Sequence, residues 1–294
     1  MKLMDILFFV LKSAVINTPS DRGWIFTQVN IADHDCTIIW GGVYYFALSN
    51  YPKITPWEIK KLLAFMDFEK LHGRKTEVVC EDASILAAIN SAISKPETVE
   101  GAPLPDKITE CTACKQNGCL TKFVCHTATI ENAKSIFASG KLLCAVKAFG
   151  RTTEDLVTDT RNAAGDPPDF FDYIMFAWGN CQAGDRLVME RNLGRGPTND
   201  ELENAFAPGV RFYFRHEDII RHPKYIFDGY HPAKVKDELV LSECLYACIV
   251  PEHNRGDLEK YIPADILDKV HYVPLDGLNI WDWAERVYDF VCAL

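Results

Sequence analysis

One stretch constrains this chain more than any other: Cys125 to Leu143, CHTATIENAKSIFASGKLL. A histidine ends a short apolar run, a helix follows at once, and the helix stops on a glycine. Ile130, Ala133, Ile136 and Phe137 repeat at three- and four-residue spacing, which predicts one buried helix face. Thr129 fits the N-cap, and Gly140 fits the left-handed position that closes a helix. His126 thus stands at a strand-to-helix junction, where a side chain can face a ligand while a packed element holds its backbone. A core histidine that happens to precede a helix is the plainer alternative.

A chain of 294 residues can bury a large core, as one sizeable domain or two modest ones. Its 41 acidic residues outnumber the 31 basic ones, which argues against coating nucleic acid by bulk charge and leaves room only for a local basic groove. Eleven scattered cysteines are not the even framework of a small secreted domain, so a reducing, cytoplasmic setting is expected. The N-terminal apolar run, Ile6 to Leu11, is bounded by Asp5 and Lys12 and reads as a buried helix or strand, not a leader. No apolar run approaches the length needed to span a bilayer, so no membrane partner is expected.

Residues 1–105 read as a smaller α/β domain. Trp24–Ile31 and Cys36–Leu48 are predicted strands joined as a hairpin through Asp33, His34 and Asp35, with a bulge at Gly41-Gly42. Thr55-Pro56-Trp57-Glu58 predicts a capping box opening a helix to about Leu71, closed by Gly73. A strand over Glu77–Cys80 and a helix over Ala83–Ile93 follow. Lys95–Lys107, with three prolines and no apolar periodicity, is the predicted linker. Residues 106–294 form the second domain. Its predicted strands include Tyr173–Trp178, Val210–Phe214 and two segments within Glu238–Val250, with a terminal helix from Trp281. Short strands with few intervening helices give an α+β fold on a split, mainly antiparallel sheet.

Cys111, Cys114, Cys119 and Cys125 follow C-x2-C-x4-C-x5-C. The first pair has zinc-knuckle spacing, and four thiolates would complete a tetrahedral structural zinc site, although a core role suits Cys125 equally well. Arg221–Lys236 carries four Lys/Arg against one Asp, interleaved with Tyr225, Phe227, Tyr230 and His231. Rings among cations are what a single-stranded DNA or RNA contact needs, while a surface loop tacked down by its own aromatics is the structural alternative.

The stretch around His126 resembles the opening motif of the ADP-ribosyltransferase superfamily, and especially its DarT-type branch, which modifies nucleic acid. His126, Asn132, Ile136 and Gly140 stand where that motif has its histidine, asparagine, isoleucine and glycine, while Ala128 stands where the branch usually has threonine. The resemblance implies an NAD-dependent enzyme that cleaves the nicotinamide–ribose bond and transfers ADP-ribose. The second domain would then be its catalytic domain and the first an accessory module. It implies that His126, supported by Thr127, holds the ribose next to nicotinamide, and that Asn132 belongs to the same motif. RNAAGDPPDFFDYIMF resembles the branch's arginine, loop and aromatic strand, giving Arg161 a catalytic role and Tyr173 a stacking one. An alternative alignment gives the strand role to Phe212, Tyr213 and Phe214. Glu238, opening the strand DELVL, stands where the superfamily has its catalytic glutamate, with Glu243 and Glu217 as alternatives. The competing reading is a zinc-stapled module that binds nucleic acid or protein without catalysis. Gly179–Gly184 offers a further turn whose N–H groups could cradle phosphate.

Overall fold

The structure is a computed structural model that describes residues 25–34, 37–105, 121–160, 162 and 165–294. The chain forms two compact units. One comprises Met1–Leu120, Glu154–Phe170 and Phe227–Tyr230; the other comprises Thr121–Thr153, Phe171–Ile226 and His231–Leu294. The units are interleaved along the sequence, because two stretches from the C-terminal half belong with the first.

The first unit is a four-stranded sheet of β1 (Phe26–Ala32), β2 (Ile38–Trp40), β3 (Val43–Ala47) and β4 (Lys75–Cys80) in the order β2-β3-β1-β4. The predicted hairpin lies elsewhere. Gly41 and Gly42 both take positive φ and form the turn between β2 and β3, whereas β1 runs parallel to β3 and β4. Two consecutive glycines suit a tight two-residue hairpin turn, which overrides the bulge expected there. Helix α1 (Pro56–Leu71) starts on the Thr55–Glu58 capping box, and α2 (Ala83–Ser94) on an Asp82 cap. The α1 ring of Phe65 stacks on Tyr44 of β3 with centroids 4.1 Å apart.

A buried polar knot ties this unit together. Arg74 donates through Nε and Nη2 to both carboxylate oxygens of Glu69, at 2.7 and 2.6 Å, and pairs with Asp169. Thr27 of β1 donates to the same Glu69.

The second unit is built on a seven-stranded sheet. Its strands are β5 (Phe123–Ala128), β7 (Tyr173–Trp178), β8 (Val210–Arg215), β9 (Tyr225–Ile226), β10 (Ala233–Lys236), β12 (Ala247–Pro251) and β13 (Val270–Val273). The order is β13-β12-β8-β5-β7-β10-β9, antiparallel except for the β12–β13 pair. This is a mixed α+β unit on a mainly antiparallel sheet. A separate two-stranded ribbon pairs β6 (Lys141–Leu143) with β11 (Glu238–Val240).

Helix α3 (Ile130–Ser139) has Thr129 as its N-cap, accepting from the Asn132 amide at 3.2 Å, and ends on Gly140 at φ +66°. On one sheet face its Phe137 ring lies 5.5 Å from Phe212. Helices α4 (Ala183–Leu193) and α5 (Ile280–Cys292) cover the other face, where Met189, Trp283, Val287 and Val291 join Phe123, Cys125, Tyr213 and Ile249 in one core. The fully buried indole of α5 is Trp283, while Trp281 is only partly buried. No helix among the described residues is long and apolar enough to cross a membrane.

Candidate functional site

The sheet of the second unit comes apart at His126. Strand β5 pairs with β8 over six residues, from Phe123↔Arg215 to Ala128↔Val210. Toward β7 it pairs only at Val124↔Trp178 and Cys125↔Ala177. From the next residue the imidazole bridges the two strands instead of the backbone, and His126 Nδ1 donates to the Met175 carbonyl at 3.1 Å. A carbonyl can only accept, so Nδ1 carries the proton and Nε2 presents a lone pair. Nε2 makes no hydrogen bond among the described residues. Burial holds the imidazole pKa below its usual value, which keeps the ring neutral near pH 7. The result is a half-buried acceptor suited to a hydroxyl donor.

Neighbours of His126 sort by sheet face, because cross-strand partners share one. Phe212 lies directly across from it and Phe176 meets its ring edge-on at 6.3 Å. Thr127 points the other way. A Cβ on Gly184 would collide with its Oγ1, and one on Gly209 would come within 2.9 Å of its Cγ2. Thr127 therefore packs under the start of α4 and does not stand beside the imidazole, contrary to the expected pairing. Tyr173 also belongs to the opposite face. It is buried at the start of β7, with the Lys234 ammonium 5.6 Å from its ring. The alternative aromatic, Phe212, is the one that neighbours His126. Asn132 lies in the first turn of α3, half-buried.

Glu238 follows a bend. Asp237 takes φ +70°, unusual for a residue with a Cβ. Its N–H donates to Asp172 at 3.0 Å, and its carbonyl accepts from Cys144 at 2.8 Å. The bend carries the chain out of the main sheet and into the ribbon with β6. The half-exposed Glu238 carboxylate accepts from Lys141 at 3.0 Å and lies 3.7 Å from Lys147. Asp237 in turn meets Lys147 at 3.7 Å and Lys224 at 2.9 Å. The Lys141 hydrogen bond lowers the Glu238 pKa, and the Lys224 hydrogen bond lowers that of Asp237. Strand β7 links this chain of charges to His126. The imidazole is anchored at Met175 within β7, and the bend at Asp172, which ends the 3-10 turn just before that strand. Glu243 sits on an exposed helical turn, and exposed Glu217 lies 3.8 Å from Arg221.

Other expected site residues fall elsewhere. Arg161 lies outside the described residues, as do Cys111, Cys114 and Cys119. Cys125 is buried in the core of the second unit, and burial pushes its thiol up to about 12. Its place among the apolar side chains of that core is the packing role that the sequence offered as the alternative to a metal ligand. Among the described residues no group of three or more His, Cys, Asp or Glu is arranged to hold a metal ion. Tyr225 lies in β9 opposite Val235, and His231 is half-buried just before β10. Phe227 and Tyr230 belong to the first unit, where Phe227 stacks on Trp57 at 5.7 Å and Tyr230 meets Tyr44 edge-on at 5.9 Å. Each of these two half-buried rings thus has one ring neighbour within the first unit.

The Gly179–Gly184 turn is also folded inward. The amides of Gly179, Cys181 and Ala183 donate to Phe123, Trp178 and the Cys181 sulfur. The carbonyls of Gly179 and Cys181 accept from Arg211 at 3.3 and 3.1 Å. Those three amides are spent, which removes the phosphate cradle they were expected to form. Arg211 itself went unnoticed in the sequence. It is fully buried, pairs with the equally buried Asp185, and donates to the Tyr213 hydroxyl at 3.0 Å. A lone arginine inside the apolar run VRFYF was the available signal.

No protein-family model matches the chain, and no curated protein or solved structure matches it either.

Proposed function

We propose that this chain is an NAD-dependent mono-ADP-ribosyltransferase acting on single-stranded nucleic acid. The observation that carries the reading is the neutral imidazole of His126, held by the Met175 carbonyl where β5 and β7 part, with Nε2 left as an acceptor. Such a group accepts a hydrogen bond from a ribose hydroxyl and fixes the sugar. Glu238, kept ionised by Lys141, supplies the negative charge that an oxocarbenium-like ribose needs. In the reaction the C1′–N bond to nicotinamide breaks, and nicotinamide leaves with the electron pair. A base nitrogen or phosphate oxygen of the acceptor bonds to C1′ and gives up its proton, where it has one, to Glu238 or solvent. The acceptor strand would run near Lys224, Lys236 and Tyr225, the parts of the basic segment that lie in the second unit.

The test is to incubate the purified protein with NAD, with and without single-stranded DNA or RNA, and to measure free nicotinamide and adduct mass. Glu238→Gln is expected to lower release by on the order of a hundredfold or more. No nicotinamide release by the wild-type chain under any of these conditions would sink the reading. The zinc-stapled module has less support, since Cys125 is packed in the apolar core of the second unit.

A further inference from the structure

Strand β4 ends the first unit's sheet and is paired on one edge only. It runs parallel to β1 from Phe26↔Lys75 to Ile31↔Cys80, and no strand among the described residues pairs with its other edge. None of its six residues is fully buried, although Thr76, Val78 and Cys80 share a face with the buried Thr27, Val29 and Ile31. Lys75, Glu77 and Val79 are exposed on the opposite face, as is Glu81 just past the strand end. A strand of this length with one bare row of N–H and C=O groups is a template for a further strand.

The sequence of β4 complements itself. A second copy related by a two-fold axis normal to the sheet would lie antiparallel along this edge and keep each face on its own side. Only residues of one face then stand opposite each other, and charge selects among the registers. Centred on Glu77, the pairing sets that carboxylate against its own copy. Centred on Val79, it sets Glu77 against Glu81. Like charges directly opposite destabilise a strand pair, so both registers are disfavoured. Centred on Thr76, it engages residues 75–77 and leaves the rest of the strand out. Centred on Val78, it uses the strand from Thr76 to Cys80, sets Glu77 against Val79, and places Lys75 against Glu81 at both ends.

We propose that the free edge of β4 is a dimer interface: two copies pair antiparallel about a two-fold axis at Val78, with reciprocal Lys75–Glu81 ion pairs. The two four-stranded sheets thereby become one continuous sheet. Dimerisation stands apart from the transferase reading, which uses no residue of β4.

Sedimentation velocity on the full chain should show monomer passing to dimer over roughly 1–100 μM. Lys75→Glu changes an exposed residue and creates two like-charge pairs per dimer, so Kd is expected to rise about tenfold or more. Adding Glu81→Lys should return Kd to within about threefold of wild type, which separates charge pairing from misfolding. Introduced cysteines read the register. Residues directly opposite in an antiparallel pair have Cα atoms about 4.5–5.5 Å apart, inside disulfide range. With oxidised glutathione as the oxidant, Val78→Cys should give a dimer linked through the two introduced thiols, identified by peptide mass spectrometry. The more exposed Val79→Cys should not, because Glu77 stands opposite it. A chain that stays monomeric to about 100 μM, a dimer indifferent to Lys75→Glu, or linkage through Val79→Cys as ready as through Val78→Cys would each overturn the proposal.

Discussion

A guanidinium inside a β-strand must have its N–H groups met by acceptors, and Arg211 has them met by Asp185, Tyr213 and two turn carbonyls. Replacing it with Met leaves Asp185 as an uncompensated buried charge. Unfolding by urea should then show a loss of about 3–5 kcal/mol, and the double change Arg211→Met, Asp185→Leu should cost less than the single one. At Glu238 the relevant quantity is acidity. Its carboxyl pKa is held below the ordinary 4.5, chiefly by Lys141. The ionised form therefore persists as pH falls toward and below that value, and the acid limb of nicotinamide release should lie under pH 4.5. Lys141→Met should move that limb upward, which a pH–rate profile will read directly. His126 was legible as a junction residue from its neighbours in sequence. Its proton could not be assigned until the Met175 carbonyl, 49 positions away, was seen to accept from Nδ1.

Elements whose signals are local matched what their residues predict. Thr55 and Glu58 close the capping box at the start of α1, and Gly73 at φ +77° follows its end. Thr55→Ala should cost about 1 kcal/mol in thermal or urea unfolding. Glu58 should cost more than Thr55, because it also accepts from Ser49. Helix α3 with its Thr129 cap and Gly140 stop was equally plain. Helix α4 was missed, since Gly184 and the polar run around Asp185 and Arg186 resemble a turn by composition. The glycine is there because Thr127 leaves no space for a Cβ, a packing demand that has no local signature. The partner of β1 was misassigned for a related reason. Both Asp33–Asp35 and Gly41-Gly42 are turn signals, and only the sheet decides that the second closes a hairpin while β1 pairs in parallel.

Across the whole molecule, burial sets the response to acid. His126, His216 and His271 all have pKa values lowered from 6.5, with burial the first cause in each. The unfolded chain takes up protons near pH 6.5 while the folded one does not, so stability is full above that pH and falls as pH drops toward the lowered values. Carboxylates act in the same direction in a lower window. Asp237, Glu238 and Glu201, the last at about 2, have lowered values and give up their contribution only as pH falls below the ordinary carboxylate range. A plot of Tm against pH should be level above about 6.5 and slope downward below it. His126→Gln combined with His216→Gln should flatten the first part of that slope and leave the second. The interleaving of units has its own consequence. Asp169 and Gly229 lie far along the chain, yet they complete the polar knot at Arg74 and the contact with Tyr44. Residues 1–105 expressed alone should show a broad, non-cooperative thermal transition, measurable by circular dichroism.

What the sequence determined by itself is the set of elements written in neighbouring residues: caps, glycine stops, apolar periods, and the strand that carries His126 into a helix. These follow from interactions spanning three or four positions, so a short window contains all their causes. The tertiary structure alone decided which face Thr127 and Tyr173 take, that Arg211 organises the Gly179–Gly184 turn, and that the Phe227 ring meets Trp57 and the Tyr230 ring meets Tyr44. Each depends on groups tens to hundreds of residues apart, whose meeting is set by strand register and by the exclusion of water from a shared interior.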